Sequence, residues 1–151
     1  MATNASRPTL YAGEFRHGID PKNRITIPVS WRGDEEGSLF YLRIDTSRDF
    51  LLVLSLEECE RVKQEAAAKL ADQQKLQSFY RAFLGVAKEC RADKQGRMVL
   101  PPELCKQAGL EGEAVLVGTG GRFELWNTER WEARKQAEAA DYENLAVQLG
   151  L

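Results

Sequence analysis

The spacing of apolar positions changes several times along the chain, and each change marks an element. In "SLEECERVKQEAAAKLA", Leu56, Cys59, Val62, Ala66 and Leu70 recur every three or four residues, the period of one helix face. Ser55 and Glu58 form the Ser-x-x-Glu capping box that opens such a helix. A second stripe of Leu76, Phe79, Tyr80, Phe83 and Leu84 follows Asp72, a suitable cap, so "DQQKLQSFYRAFL" reads as another amphipathic helix. "PPELCKQAG", with proline at its start and glycine at its stop, reads as a short helix. Residues 129–149, after Asn127 and Thr128, read as a long helix anchored by Trp131, Tyr142 and Leu145 and fraying towards Gly150. Between the helices the texture is β. "SLFYLRI" and "FLLVLSL" flank "DTSRD", and "AVLVGTGGRFELW" holds two apolar runs around Gly118, Gly120 and Gly121, so each pair reads as a hairpin.

This succession occurs twice. "HGIDPKNRITIP" returns 73 residues later as "RADKQGRMVLPP", with Asp93, Arg97 and Pro101 repeating Asp20, Arg24 and Pro28. "FLLVLSLEECERV" is answered by "RFELWNTERWEAR" at an offset of 72, matching Leu51 with Phe123, Leu54 with Trp126 and Cys59 with Trp131. Each half therefore reads strand, tight turn, strand, short helix, hairpin, longer helix. The expected organisation is a flexible N-terminal arm over 1–12, a first repeat over 13–71, a linking helix over 72–85, a second repeat over 86–140 and the end of the C-terminal helix over 141–151. The fold class expected from this pattern is α+β.

The repeated motif has its own local logic. On a helix, Asp20 and Arg24 would make an ordinary i, i+4 ion pair. Pro21 and Asn23 argue against a helix. Asp-Pro-Lys-Asn instead carries aspartate first, proline second and a residue tolerant of positive φ fourth, which is a type I turn followed by a left-handed residue. In the second copy Gly96 takes the fourth place. The aspartate carboxylate is then placed to accept backbone N–H groups of its own turn, while the arginine opens the next strand. The alternation in "RITIP" and "RMVLP" puts the arginine on the face opposite Ile25 and Met98. An arginine on a stiff turn suits planar, bidentate contact with phosphate oxygens or a guanine edge, where a lysine acts as a point charge.

Charge changes the picture only when it is divided. The chain of 151 residues carries a net −2, which taken whole argues against a protein coated for nucleic acid. Residues 13–32 and 88–106 nevertheless carry +2 each and Arg7 adds one, so the rest carries −7. Both motifs thus lie in locally basic stretches of an acidic chain. With 43% hydrophobic residues the chain can bury a respectable core, as one domain or as two small, intimately joined halves. Cys59, Cys90 and Cys105 are an odd, widely spaced set without a CxxC, so they read as buried thiols, neither a disulfide framework nor a metal site. No apolar run is long enough for a membrane span and the start lacks a signal-peptide core, so a cytoplasmic protein is expected.

The segments "GEFRHGIDPKNRITIPVSWR" and "FLGVAKECRADKQGRMVLPPEL", with the tryptophan-bearing helix after "RFELW", resemble the MraZ family of bacterial regulators in the AbrB-like, swapped-hairpin DNA-binding superfamily. The resemblance runs from about Tyr11 to Tyr142. It implies a duplicated swapped-hairpin β-barrel formed within one chain by two pseudo-symmetric halves, with flanking helices. It further implies ring-like homo-oligomers, associated with the nucleoid, that bind double-stranded DNA at repeated elements upstream of the protein's own operon and the division and cell-wall gene cluster, usually as a repressor. By position, Arg24 and Arg97 match the family's DNA-facing arginines, and Asp20 and Asp93 match the aspartates that shape the turn. Arg16, His17, Lys22 and Lys94 lie beside them within reach of phosphates. Three departures stand out: Asn23 replaces the commoner glycine, Cys59 sits where the family often has tryptophan, and about ten residues precede the usual start.

Catalytic readings fare poorly. Two aspartates in a duplicated β-rich chain suggest an aspartic protease, but that site needs two carboxylates a few ångströms apart in glycine-bearing loops. Here each aspartate is followed by Pro21 or Lys94 and by an arginine that holds it ionised. "GTGG" lacks the lysine or the longer glycine spacing of a phosphate loop and reads as a turn. His17, the single histidine, builds neither a metal site nor a triad. No enzyme activity, cofactor, metal or small-molecule substrate is expected. The competing reading is a β-barrel oligomerisation module that binds a protein partner.

Overall fold

The computed structural model describes residues 9–33 and 37–151; most of the expected N-terminal arm, residues 1–8, lies outside them. The fold is α+β. The elements follow the order β1 (Glu14–Gly18), β2 (Arg24–Thr26), a 3-10 turn (Val29–Trp31), β3 (Leu39–Ile44), β4 (Phe50–Ser55), α1 (Leu56–Lys69), α2 (Gln73–Phe83), β5 (Lys88–Arg91), β6 (Arg97–Val99), α3 (Pro102–Ala108), β7 (Glu113–Gly118), β8 (Arg122–Trp126) and α4 (Thr128–Gln148).

The strands of the two halves interleave. Six strands form one sheet in the order β1-β7-β8-β4-β3-β5, and β2 pairs with β6 in a separate two-stranded ribbon. The outer strand of each half therefore joins the hairpin of the other: β1 lies on β7, and β5 on β3, both antiparallel. The two hairpins meet along β4 and β8, with Leu52 opposite Glu124. In the ribbon Ile25 faces Met98, Arg24 faces Val99 and Thr26 faces Arg97. At the repeat offset of 73 this register maps onto itself, so the ribbon lies on a pseudo-twofold axis. The sheet keeps two free edges, β1 and β5, so the hydrogen bonding does not close the barrel expected from the sequence.

Each face of the sheet has its own apolar filling. One face, with the ribbon, the 3-10 turn and α3, buries Ile25, Ile27, Trp31, Phe40, Met98, Leu116 and Phe123. Trp31 sits among Tyr11, Phe15 and Phe123 at centroid distances of 4.8 to 5.7 Å, and its indole N–H donates to the Ala12 carbonyl at 3.0 Å. Tyr11 is buried and exchanges backbone hydrogen bonds with Gly120, so the stretch before β1 is fastened to the β7–β8 turn. The opposite face buries Phe50, Leu52, Leu54, Cys59, Phe83 and Trp126 under the helices.

The helix starts follow the sequence reading, with one difference in detail. Ser55 Oγ accepts the Glu58 N–H at 3.1 Å, Asp72 caps α2, and Asn127 Oδ1 accepts from the N–H of Arg130 at 2.9 Å. Glu58 does not return to Ser55. Its buried carboxylate instead accepts from Arg61 at 2.7 Å and from Arg122 at 2.7 Å, and these guanidinium groups hold it below the ordinary carboxylate range. Three positions expected to be buried are not. Leu56 is exposed because it is the first residue of α1, and helical side chains lean towards the N-terminus, here past the strands beneath. Tyr142 and Leu145 are exposed because α4 runs on beyond the part where Trp131 packs against Trp126. Among the described residues no helix is long and apolar enough to cross a membrane.

Candidate nucleic-acid interface

Each Asp-x-x-x-Arg motif closes a turn at one end of the ribbon. In the first, the Asn23 N–H donates to the Asp20 carbonyl at 2.8 Å, the Asp20 N–H donates to the Arg24 carbonyl at 3.0 Å, and Asn23 adopts φ 64°. This is the type I turn with a left-handed residue that the sequence suggests. The carboxylate does three jobs within it. Asp20 Oδ1 accepts the N–H groups of Lys22 at 3.0 Å and Arg24 at 2.8 Å, and Oδ2 accepts Arg24 Nε at 2.7 Å. The second turn repeats every contact: Gln95 and Arg97 N–H groups to Asp93 Oδ1, both at 2.9 Å, and Arg97 Nε to Asp93 Oδ2 at 2.9 Å, with Gly96 at φ 78°.

The electrostatics follow from those contacts. The backbone N–H of the arginine, with its guanidinium in support, holds each aspartate below the ordinary carboxylate range. The aspartate engages Nε of each arginine, Arg97 Nη2 also donates to Gln95 Oε1 at 2.5 Å, and the side chain stands partly exposed at 26% for Arg24 and 34% for Arg97. The carboxylate thus fixes the arginine's direction without enclosing it.

The ribbon sets the two arginines side by side. Ile25 and Met98 point inward and are buried, so the other face carries Arg24, Thr26, Arg97 and Val99. Arg24 and Arg97 are diagonal neighbours across the two strands, at a spacing of roughly 7–8 Å by strand geometry. Val99, exposed between them, is an apolar spot that the sequence did not single out. Each turn is also tied to the opposite strand: the Ile27 N–H donates to the Gly96 carbonyl at 2.7 Å, and the Leu100 N–H donates to the Asn23 carbonyl at 2.8 Å. Each turn thus shares a backbone hydrogen bond with the strand end of the other half.

Not every candidate joins this surface. Lys22 and Lys94 lie exposed in the turns themselves. His17 lies half-buried in β1 on the same strand face as Phe15, near the start of the first turn. Arg16 is on the other face, where it pairs with Glu132 of α4 at 2.6 Å, while Glu14 meets Lys135 at 3.1 Å. The structure therefore groups Arg24, Arg97, Lys22 and Lys94 and sets Arg16 apart. A residue missed in the sequence is Arg32: its Nε donates to the Ile27 carbonyl at 2.8 Å and its guanidinium lies against Gly96. Only the crossing of the halves brings it there. Cys59, Cys90 and Cys105 are free and buried, and burial pushes their thiols up, that of Cys90 to about 11. No group of three or more His, Cys, Asp or Glu side chains among the described residues is placed to hold a metal ion.

Relatives match this chain over nearly their whole length. A chain called transcriptional regulator MraZ from Heliobacterium modesticaldum is 34% identical, with 93% of this chain and 96% of the relative aligned. The chain belongs to the MraZ family. A relative of the same name from Desulfosudis oleivorans is 35% identical over 94% of this chain and all of its own length, and one from Pelotomaculum thermopropionicum is 36% identical over 93% and 95%. The family model for MraZ protein, described as antitoxin-like, matches residues 83–148, which include the whole second turn and the helix after it.

Proposed function

We propose that this chain is a sequence-specific DNA-binding transcriptional regulator whose contact surface is the outer face of the β2–β6 ribbon with its two turns. The observation that carries the reading is the ribbon register, which places two aspartate-braced arginines on one face. A two-stranded ribbon is narrow enough for the major groove, where an arginine fork matches guanine O6 and N7 and an apolar contact matches the thymine methyl group. Arg24 and Arg97 read or clamp in this way, Val99 supplies the apolar contact, and Lys22 and Lys94 position the turns on phosphates. His17 approaches from the end of β1. Arg16 serves DNA only after release from Glu132. The interleaved halves fit a swapped-hairpin barrel built within one chain.

The name of the relatives and the resemblance seen in the sequence support the rest of the proposal: repression of the chain's own operon and of the division and cell-wall gene cluster, by a homo-oligomeric ring bound to repeated elements on the nucleoid in the cytoplasm. A ring compensates for the weak charge of one chain by presenting each patch several times along the duplex. Tyr142, Leu145 and Leu149, exposed along one face of α4, give such an assembly an apolar contact. That same face favours the second reading, an oligomerisation module that binds a protein partner.

A mobility-shift titration with duplex from the gene's own upstream region separates the two. The expected result is binding that weakens steeply with added salt and is lost in Arg24→Ala and Arg97→Ala while the circular dichroism stays unchanged. No shift at low salt would remove the regulator reading.

A further inference from the structure

We propose that Arg32 is a third DNA-contacting arginine and that it serves the second turn alone. The proposal rests on the DNA-binding reading above and adds an asymmetry to it. Arg32 follows the 3-10 turn anchored by buried Trp31, and its Nε donates to the Ile27 carbonyl at 2.8 Å. Its guanidinium occupies the space that a Cβ on residue 96 would fill, so Gly96 is glycine for two reasons, its φ of 78° and this close approach. A charge from the first half is thereby set against Gly96 of the second turn, one residue from Arg97.

The first turn meets the same need differently. Leu100 is the repeat counterpart of Ile27, and its carbonyl accepts from Asn23 Nδ2 at 2.6 Å. Cys105 stands at the position equivalent to Arg32, and its sulfur lies 3.6 Å from that amide. Both strand-end carbonyls are thus satisfied, one by the neutral Asn23 and one by the cationic Arg32. Capping the carbonyl does not require a charge, as the first half demonstrates. The guanidinium uses one of its five donors on Ile27, and the side chain stays partly exposed against the residue before Arg97, suited to a phosphate oxygen flanking the base that Arg97 meets. The two turns are therefore unequal: the second holds one more fixed cation, and the two DNA segments met by one chain are bound with unequal strength.

The test is fluorescence anisotropy of the full-length protein on its own upstream duplex across a salt series, with thermal midpoints measured alongside. Arg32→Gln is expected to weaken binding about five- to tenfold near 0.1 M salt and to lower the slope of log K against log salt by about one. Arg32→Lys, which keeps the charge and loses the fork on Ile27, is expected to regain the slope and lower the thermal midpoint. The double variant Arg32→Gln, Gly96→Asn removes the guanidinium that the new side chain would overlap and installs the first turn's cap at the second, so measured against the unmodified protein it reports on charge alone. There, an unchanged affinity and slope, or a loss that lysine does not restore, would overturn the role of Arg32. Failure of the unmodified protein to bind the duplex would instead bring down the DNA reading itself.

Discussion

Asn23 is held at φ 64°, a conformation in which most side chains are strained, and its amide stabilises the place by bonding to the Leu100 carbonyl. Asn23→Ala keeps the strain and loses the bond. A loss of about 1–3 kcal/mol is expected in urea denaturation, and a smaller one for Asn23→Gly, which relieves the strain. The aspartates predict a pH response of definite sign. Both are held below their ordinary value by backbone N–H groups and an arginine, so they bind protons more weakly folded than unfolded. Their stabilisation is complete above about pH 3.9, the unfolded value, and fades as pH falls through the lower folded values. A thermal midpoint followed from pH 6 down to pH 2.5 should drop below that point, and the double variant Asp20→Asn, Asp93→Asn should show a shallower drop from a lower starting midpoint.

Elements hold these residues in place. Gly118 closes β7 where the backbone of Tyr11 passes, and a Cβ there would overlap the Tyr11 carbonyl group. Gly118→Ala is therefore expected to detach the segment before β1. Hydrogen exchange at the amides of Tyr11 and Gly120 should speed up while the amides of β4 and β8 stay protected. On α4, the stripe that packs Trp131 onto the sheet continues through Tyr142, Leu145 and Leu149 past the end of the body. One helical face thus has two fates, covered first and open after. Leu145→Asp should leave the helix content intact and reduce the assembly size seen by sedimentation velocity, as the proposed ring requires.

The whole molecule is divided by sequence but not by structure. Each half contributes one edge strand to the other's hairpin, and the ribbon takes one strand from each. Cutting the chain between α1 and α2 would leave Ile25, Phe40 and Leu51 without the Met98, Cys90 and Leu125 that lie opposite. A fragment of residues 1–71 is expected to be unfolded as a monomer and to gain strand structure only with rising concentration, when a second copy can supply the missing strands. Circular dichroism against concentration, with sedimentation, checks this. The intact chain should unfold in one transition with coincident tryptophan and far-ultraviolet signals, because neither half holds a separate core.

Local chemistry was enough to read the turns, the caps at Ser55 and Asp72, the hairpins and the arginine facing away from Ile25 and Met98. Those features depend on residues within a few positions of one another, where φ preference, hydrogen-bond reach and side-chain alternation are decisive. Repeat matching showed two halves but not how they pair. That β1 lies on β7, that Arg16 turns towards Glu132, and that Arg32 caps Ile27 beneath the second turn are settled by contacts between distant segments. The burial of Tyr11 and the exposure of Tyr142 and Leu145 belong to the same group, since identical apolar periodicity is covered or bare according to what the fold sets beneath it. The amino-acid order by itself determined two rigid, aspartate-braced arginines; only the crossing of the halves decided that they share one face, because strand pairing over more than seventy residues is selected by the core as a whole and not by any local pattern.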